Sequence, residues 1–160
     1  MKKVIYLILL LILCASDTCM REDHQHHYII SFLNRADFAI YVSRKELYNQ
    51  DTTAEYLFYY PLKYLRINPN EINLKSLRAT SWEAVFTDER FSPIDTLMIF
   101  VFDAEKVEAD VSPQEAVVAR YDVSLEDLQR NNWSLSYPPN SNMATIKMWP
   151  PYSSYYLPEE

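Results

Sequence analysis

The sequence predicts a mainly β protein: an antiparallel β-sandwich with two or three short helical insertions. Three observations point there. Asp95-Thr96-Leu97-Met98-Ile99-Phe100-Val101-Phe102-Asp103 holds six consecutive apolar residues between two aspartates, too few to span a membrane and rich in strand-forming types. Alternation puts Leu97, Ile99 and Val101 on one face and Met98, Phe100 and Phe102 on the other, so this strand is expected to be central and covered on both sides. The rest of the chain reads as short strands separated by turn signals, and its thirteen tyrosines add to the β tendency.

At 160 residues, 49% of them apolar, the chain is long enough to bury a core. It contains no glycine at all. Phosphate-cradling loops, the dinucleotide-binding turn and the strained nucleophile elbow all depend on glycine, so the functions built on them are excluded. Turns fall instead to Asn, Asp and Pro, as in Asn68-Pro69-Asn70 and Pro138-Pro139-Asn140-Ser141-Asn142. The formal charge is −7. Without Lys2 and Lys3, thirteen cations against twenty-two acids leave −9. Such a surface repels phosphate backbones, and nucleic acid is not an expected partner.

Residues 1–18 have the form of an export signal. Lys2 and Lys3 supply the positive start, the ten residues Val4 to Leu13 the apolar run, and Ala15-Ser16-Asp17-Thr18 the small and polar end. Both cysteines, Cys14 and Cys19, lie here. That is no disulfide framework, but a cysteine just after an apolar run resembles the lipidation site of bacterial lipoproteins. Leu13 stands where that pattern wants a small residue, and Asp17 is a poor middle residue before Cys19. Cleavage near Ala15 or Ser16 without lipidation is the other reading. Residues 19–27 then read as a polar tether. It carries every histidine of the chain, and His24, His26 and His27 with Asp23 are the candidate zinc or copper ligands.

The sandwich is expected over residues 28–149. Tyr28 to Leu33 and Phe38 to Val42 alternate around Asn34-Arg35-Ala36-Asp37 and read as a β-hairpin. Arg44 to Thr53 reads as loop. Short strands are expected at Tyr56 to Tyr60, Leu62 to Ile67 and Ile72 to Leu74. Thr80 with Glu83 reads as a capping box starting a helix through Trp82, Val85 and Phe86. Ser112-Pro113-Gln114-Glu115 is a second such start, with proline at the first helical position. The chain then re-extends from Val117 to Val123, and Ser124 with Asp127 caps a helix from Leu125 to Arg130. Trp133, Leu135 and Tyr137 alternate with serines as a one-sided strand, and Met143 to Trp149 reads as the last one. Residues 150–160 read as a loose tail. Tyr152 there, Trp149 just before the tail, and Tyr59 and Tyr60 are the aromatics that could stack on a sugar or a partner.

Two motifs carry a resemblance. Ser92-Pro93-Ile94-Asp95-Thr96-Leu97-Met98-Ile99-Phe100-Val101-Phe102-Asp103-Ala104 is one. Arg120-Tyr121-Asp122-Val123-Ser124-Leu125-Glu126-Asp127-Leu128-Gln129-Arg130, with Asn132-Trp133 and Tyr137-Pro138-Pro139 after it, is the other. Together with the opening Tyr28 to Val42 they resemble a family of small Bacteroidota lipoproteins. The resemblance implies export to the cell envelope and an outer-membrane lipoprotein facing the periplasm or the surface. It brings no activity and no catalytic residues. In that setting Asp51-Thr52-Thr53 and Asp95-Thr96-Leu97 resemble O-glycosylation sites at Thr52 and Thr96.

The function expected is a non-catalytic envelope protein with a binding or structural role, its partners the membrane through a lipid and a glycan or envelope protein. The sandwich would be of immunoglobulin-like or transthyretin-like layout. No cofactor is expected. One alternative is a hydrolase using Asp103 and Glu105, with Glu108 and Asp110 nearby, since paired carboxylates can divide acid and base work. Another is metal handling by the histidine tract.

Overall fold

The computed structural model describes residues 26–46, 66–91 and 93–156. The lipidation candidates Cys14 and Cys19, His24, Thr52, Tyr59 and Tyr60 lie outside them, as do the signal segment and the strand expected at Tyr56 to Tyr60.

Strand β4 (Leu97–Asp103) lies inside a four-stranded antiparallel sheet. Its neighbours are β2 (Ile40–Glu46), paired over seven residues, and β5 (Val117–Val123), which carries β7 (Lys147–Trp149) on its far edge. The expected two-sided burial holds. Leu97, Ile99 and Val101 face the main core, where they meet Val42, Ala119, Tyr121 and Val123. Met98, Phe100 and Phe102 form a second apolar cluster with Tyr41, Ala104 and Ala116. Val118 is an extra residue in the β4–β5 ladder, because Val101 pairs with Ala119 and Phe102 with Val117.

The second sheet has three strands in the order β3 (Ile72–Asn73), β1 (Ser31–Asn34), β6 (Ser134–Tyr137). Its inward residues Phe32, Leu135 and Tyr137 join the main core, and the Phe32 ring lies 6.4 Å from that of Tyr121 in the other sheet. The Tyr121 hydroxyl crosses between the layers to donate to the Ser136 carbonyl at 3.1 Å. The two sheets thus form the β-sandwich. Among the described ladders only β1–β6 is parallel.

The expected hairpin from Tyr28 to Val42 does not form. β1 pairs with β3 and β6, whereas β2 pairs with β4, so the turn after Asn34 carries the chain from one layer to the other. The reason lies at Asn34, which is fully buried. Its amide donates to the carbonyls of Phe38 at 2.8 Å and Ile67 at 3.0 Å, and its oxygen accepts from the Ala36 N–H at 3.0 Å. Those bonds tie the turn to Phe38 and Ile67 and pin it as an arch between the layers. β2 also runs to Glu46, so Arg44 to Glu46, expected as loop, is strand.

Four short α-helices are described: α1 (Trp82–Thr87), α2 (Ala104–Glu108), α3 (Pro113–Ala116) and α4 (Leu125–Arg130). The capping box at Ser124 and Asp127 is present as expected. α3 has proline at its first turn but no side-chain cap from Ser112. α1 starts one residue later than expected. Ser81, not Thr80, is its cap, accepting from the Ala84 N–H, and Glu83 is freed for another task.

Two helices stop on left-handed residues without glycine. After α4, Asn132 has φ 49°, its N–H donates to Gln129 and the Trp133 N–H donates to Leu128. After α2, Asp110 has φ 59°, with Asp110 and Val111 bonding back to Val107 and Lys106 in the same pattern. Both are Schellman endings, with Asn or Asp standing where glycine is usual. Trp133 itself is left-handed at φ 56°, a conformation that costs a bulky L-residue about 1–2 kcal/mol. The segment expected as a loose tail is tied down as far as Tyr156. Tyr152–Tyr155 form a 3-10 turn, Tyr155 packs edge-on against Tyr137, and the Tyr156 hydroxyl donates to the Pro139 carbonyl.

Candidate functional site

Two depressions lie beside the segment that enters β1. His27, Ile29 and Ser31 line the first, together with Leu74, Gln129, Asn132 and Trp133, around a volume of about 730 Å³. Tyr28 lines the second, with Arg44, Arg78, Ala79, Thr80 and Val85, around about 700 Å³. Alternation along an extended chain explains this division: odd residues go to one side and even residues to the other. The segment is held extended on its neighbour by the Ile29–Arg78 bridge and by bonds from Ile30 to Leu77 and from Ala79 to Tyr28.

His27 is the best-defined group of the first depression. Its ring stacks on Trp133 at 4.2 Å between centroids, and its Nδ1 lies 2.6 Å from Glu83 Oε1. Its backbone N–H donates to the same carboxylate at 2.9 Å, and its carbonyl accepts from the Trp82 N–H. Burial pushes the Glu83 carboxyl up, but the donors on His27 and the Ser81 hydroxyl outweigh it and leave it below its ordinary value. An ionised carboxylate is acceptor-only, so Nδ1 carries the proton and Nε2 is the ring's remaining polar atom. His27 is therefore bonded into the folded structure through Glu83 and Trp133.

A carboxylate-oriented imidazole is also a general-base arrangement. Here no serine, threonine or cysteine bonds to the ring among the described residues, and the pair closes the N-terminal segment onto α1 and the turn after α4. His26 is exposed. Among the described residues no group of three His, Cys, Asp or Glu side chains could hold a metal ion.

The carboxylates after β4 are spread out and given structural work. Asp103 caps α2, accepting from the N–H groups of Glu105 and Lys106. Glu105 is exposed. Glu108 accepts from the Tyr41 hydroxyl and from Arg66, each at 3.0 Å, and burial together with this bond pushes the Tyr41 hydroxyl up. Asp110 makes the left-handed turn. None of the four lines either depression.

Trp149 is 53% exposed on the edge strand β7, opposite Arg120, while Tyr152 lies against Tyr156 at 4.9 Å. Thr96 is half-buried just before β4. The groups that define the depressions other than His27 were not singled out from sequence. Glu83 looked like a helix cap, Trp133 like one position of an alternating strand, and Arg44 like part of a loop. The one available signal was a tryptophan following Asn132 in a chain that must place asparagine where glycine would turn it.

No helix among the described residues is long and apolar enough to cross a membrane. Compared with known proteins, the chain matches no family model, no curated protein and no solved structure.

Proposed function

We propose that the protein is a non-catalytic envelope lipoprotein, held at the membrane through Cys14 or Cys19, whose first depression binds a glycan of the envelope. The observation that carries the binding half is the make-up of that depression. The amide side chains of Gln129 and Asn132 and the Ser31 hydroxyl stand beside Ile29, Leu74 and the stacked His27 and Trp133 rings. A sugar presents the same mixture, hydroxyls around its rim and an apolar face of C–H groups. The membrane half rests on the apolar run Val4 to Leu13 and the cysteines beside it. Seven residues lie between Cys19 and His27, so eight Cα-to-Cα steps join them. Fully extended they reach at most about 29 Å, which would keep the depression close to the bilayer surface.

Intact mass of the protein from native membranes tests the anchor, a diacyl or triacyl modification on Cys14 or Cys19 being the expected result. An unmodified chain starting near Ser16 would remove it. Binding is tested by NMR titration of the full chain in detergent micelles with a panel of neutral saccharides. Resonances of Gln129, Asn132 and Leu74 should shift saturably with at least one of them, and Leu74→Asp should abolish the effect. If no saccharide moves these residues, the glycan reading fails.

A further inference from the structure

The two sheets differ on their outer faces. On the four-stranded sheet the outward residues Met98, Phe100 and Phe102 are buried, with Ala104 of α2 and Ala116 of α3 in the same cluster. The other layer turns Ile29, Ser31 and Leu33 outward along β1 and the segment entering it. Leu33 pairs in register with Ile72, so Ile72 and, two residues on, Leu74 share that face. Ile29 and Leu33 are half-buried, whereas Ile72 is 58% and Leu74 50% exposed. We infer that this apolar face rests on the lipid bilayer, with Ile72 and Leu74 seated among the headgroups and upper acyl chains.

A sheet face that meets only water carries polar residues outward. An exposed apolar face instead marks a contact with a membrane or another protein, and the way the chain enters the domain favours the membrane. His27, Ile29 and Leu74 line one hollow, so the apolar face lies where the tether joins the fold. Eight Cα-to-Cα steps lead back from His27 to Cys19, at most about 29 Å, and a lipid on that cysteine keeps this side of the sandwich beside the bilayer. The inference rests on the anchor proposed above. The projecting turn is also preformed. Asn73 turns its side chain away from the exposed pair, and its oxygen accepts from the Lys75 and Ser76 N–H groups, each at 2.8 Å. Lys75, exposed next to Leu74, can lay its stem on apolar surface and hold its ammonium among lipid phosphates. The nearby acid, Glu71, accepts from the Asn68 N–H at 3.0 Å and from its amide at 2.9 Å. Because Leu74 also lines the first depression, that hollow opens at the level of the headgroups.

The test uses the protein purified from native membranes, its acylation read by intact mass. It is placed in nanodiscs of phosphatidylcholine and phosphatidylglycerol that carry a spin label on some headgroups. Methyl NMR signals of Ile72 and Leu74 should be lost to paramagnetic broadening, while the indole signal of Trp149, exposed on the edge of the other sheet, persists. In the double variant Ile72→Ser with Leu74→Ser, the Leu33 signal should be less broadened than in wild type. Both positions are exposed, so the fold is kept. Three results would overturn this inference and leave the anchor standing: an acylated chain whose Ile72 and Leu74 signals persist, equal broadening at Trp149, or equal broadening of Leu33 in variant and wild type. An unacylated chain would overturn the anchor and this inference with it. Movement of the Ile72 and Leu74 signals with protein concentration in lipid-free detergent would assign the face to a second copy of the chain and overturn the membrane contact.

Discussion

The two sheets of the sandwich are held by different physics. The four-stranded sheet has a central strand of seven residues, long ladders on both sides and apolar cover on both faces. In the three-stranded sheet no strand exceeds four residues, and one of its two ladders is parallel. Its position is set by specific polar contacts: the Asn34 amide, the Tyr121 hydroxyl on Ser136, and the His27–Glu83 pair. Burial is non-directional and survives small errors of geometry, whereas a buried hydrogen bond is lost with its partner. The first sheet should therefore respond to lost volume and the second to lost polar atoms.

The largest effect should come from the first sheet. Ile99→Ala removes three buried carbons from the centre of β4 and should lower unfolding stability by about 2–5 kcal/mol. Urea denaturation with an unchanged m-value would show it. A loss under 1 kcal/mol would mean that the core repacks around the hole and that the contrast between the sheets is overstated.

Asn34→Ala probes the other mechanism, costing little volume but stripping partners from buried backbone groups at Phe38, Ile67 and Ala36. The expected loss is about 2 kcal/mol, with faster amide exchange at Ala36. The same contrast can be drawn between the two Schellman endings. Trp133, which follows Asn132, is buried in the core with Leu128, whereas Asp110 is exposed and its motif joins Val111 to Lys106. Asn132→Val should cost about 1–2 kcal/mol, because a β-branched residue resists positive φ. Asn132→Gly and Asp110→Gly should each stabilise, by about 1 kcal/mol or less, since the conformation suits glycine better.

These differences also mark what could be read from the sequence. β5 was legible to the residue and β4 to within one, because their apolar residues alternate and their ends are marked by Asp95, Ser124 and a helix start. The helix from Leu125 to Arg130 was legible because its capping box is local. The hairpin was misread because nothing in Asn34 to Asp37 states which distant backbone the Asn34 amide will meet, and its partner at Ile67 is thirty-three residues away. The cap of α1 was misread because Thr80 and Ser81 both fit, and what decides between them is that His27 takes Glu83. The two depressions were illegible for the same reason: each is built from segments far apart in the chain that touch only once the layers close.

The smallest expected effect concerns that pair and has a definite sign. In the folded protein the Glu83 carboxyl lies below its ordinary value of 4.5, because the His27 and Ser81 donors favour its charged form more than burial opposes it. The folded state therefore binds this proton less readily than the unfolded chain. The resulting stability is present above 4.5 and is lost as pH falls through the lower, folded value. Glu83→Gln lacks the titrating group. The gap in urea midpoint between wild type and this variant should be widest at neutral pH and should narrow as the pH is taken from 5 towards 3. A gap that stays constant over this range would show that the bonds between His27 and Glu83 set geometry without adding stability. The three-stranded sheet would then owe its position to the Asn34 amide and the Tyr121 hydroxyl, and the entering segment would be a passenger on them.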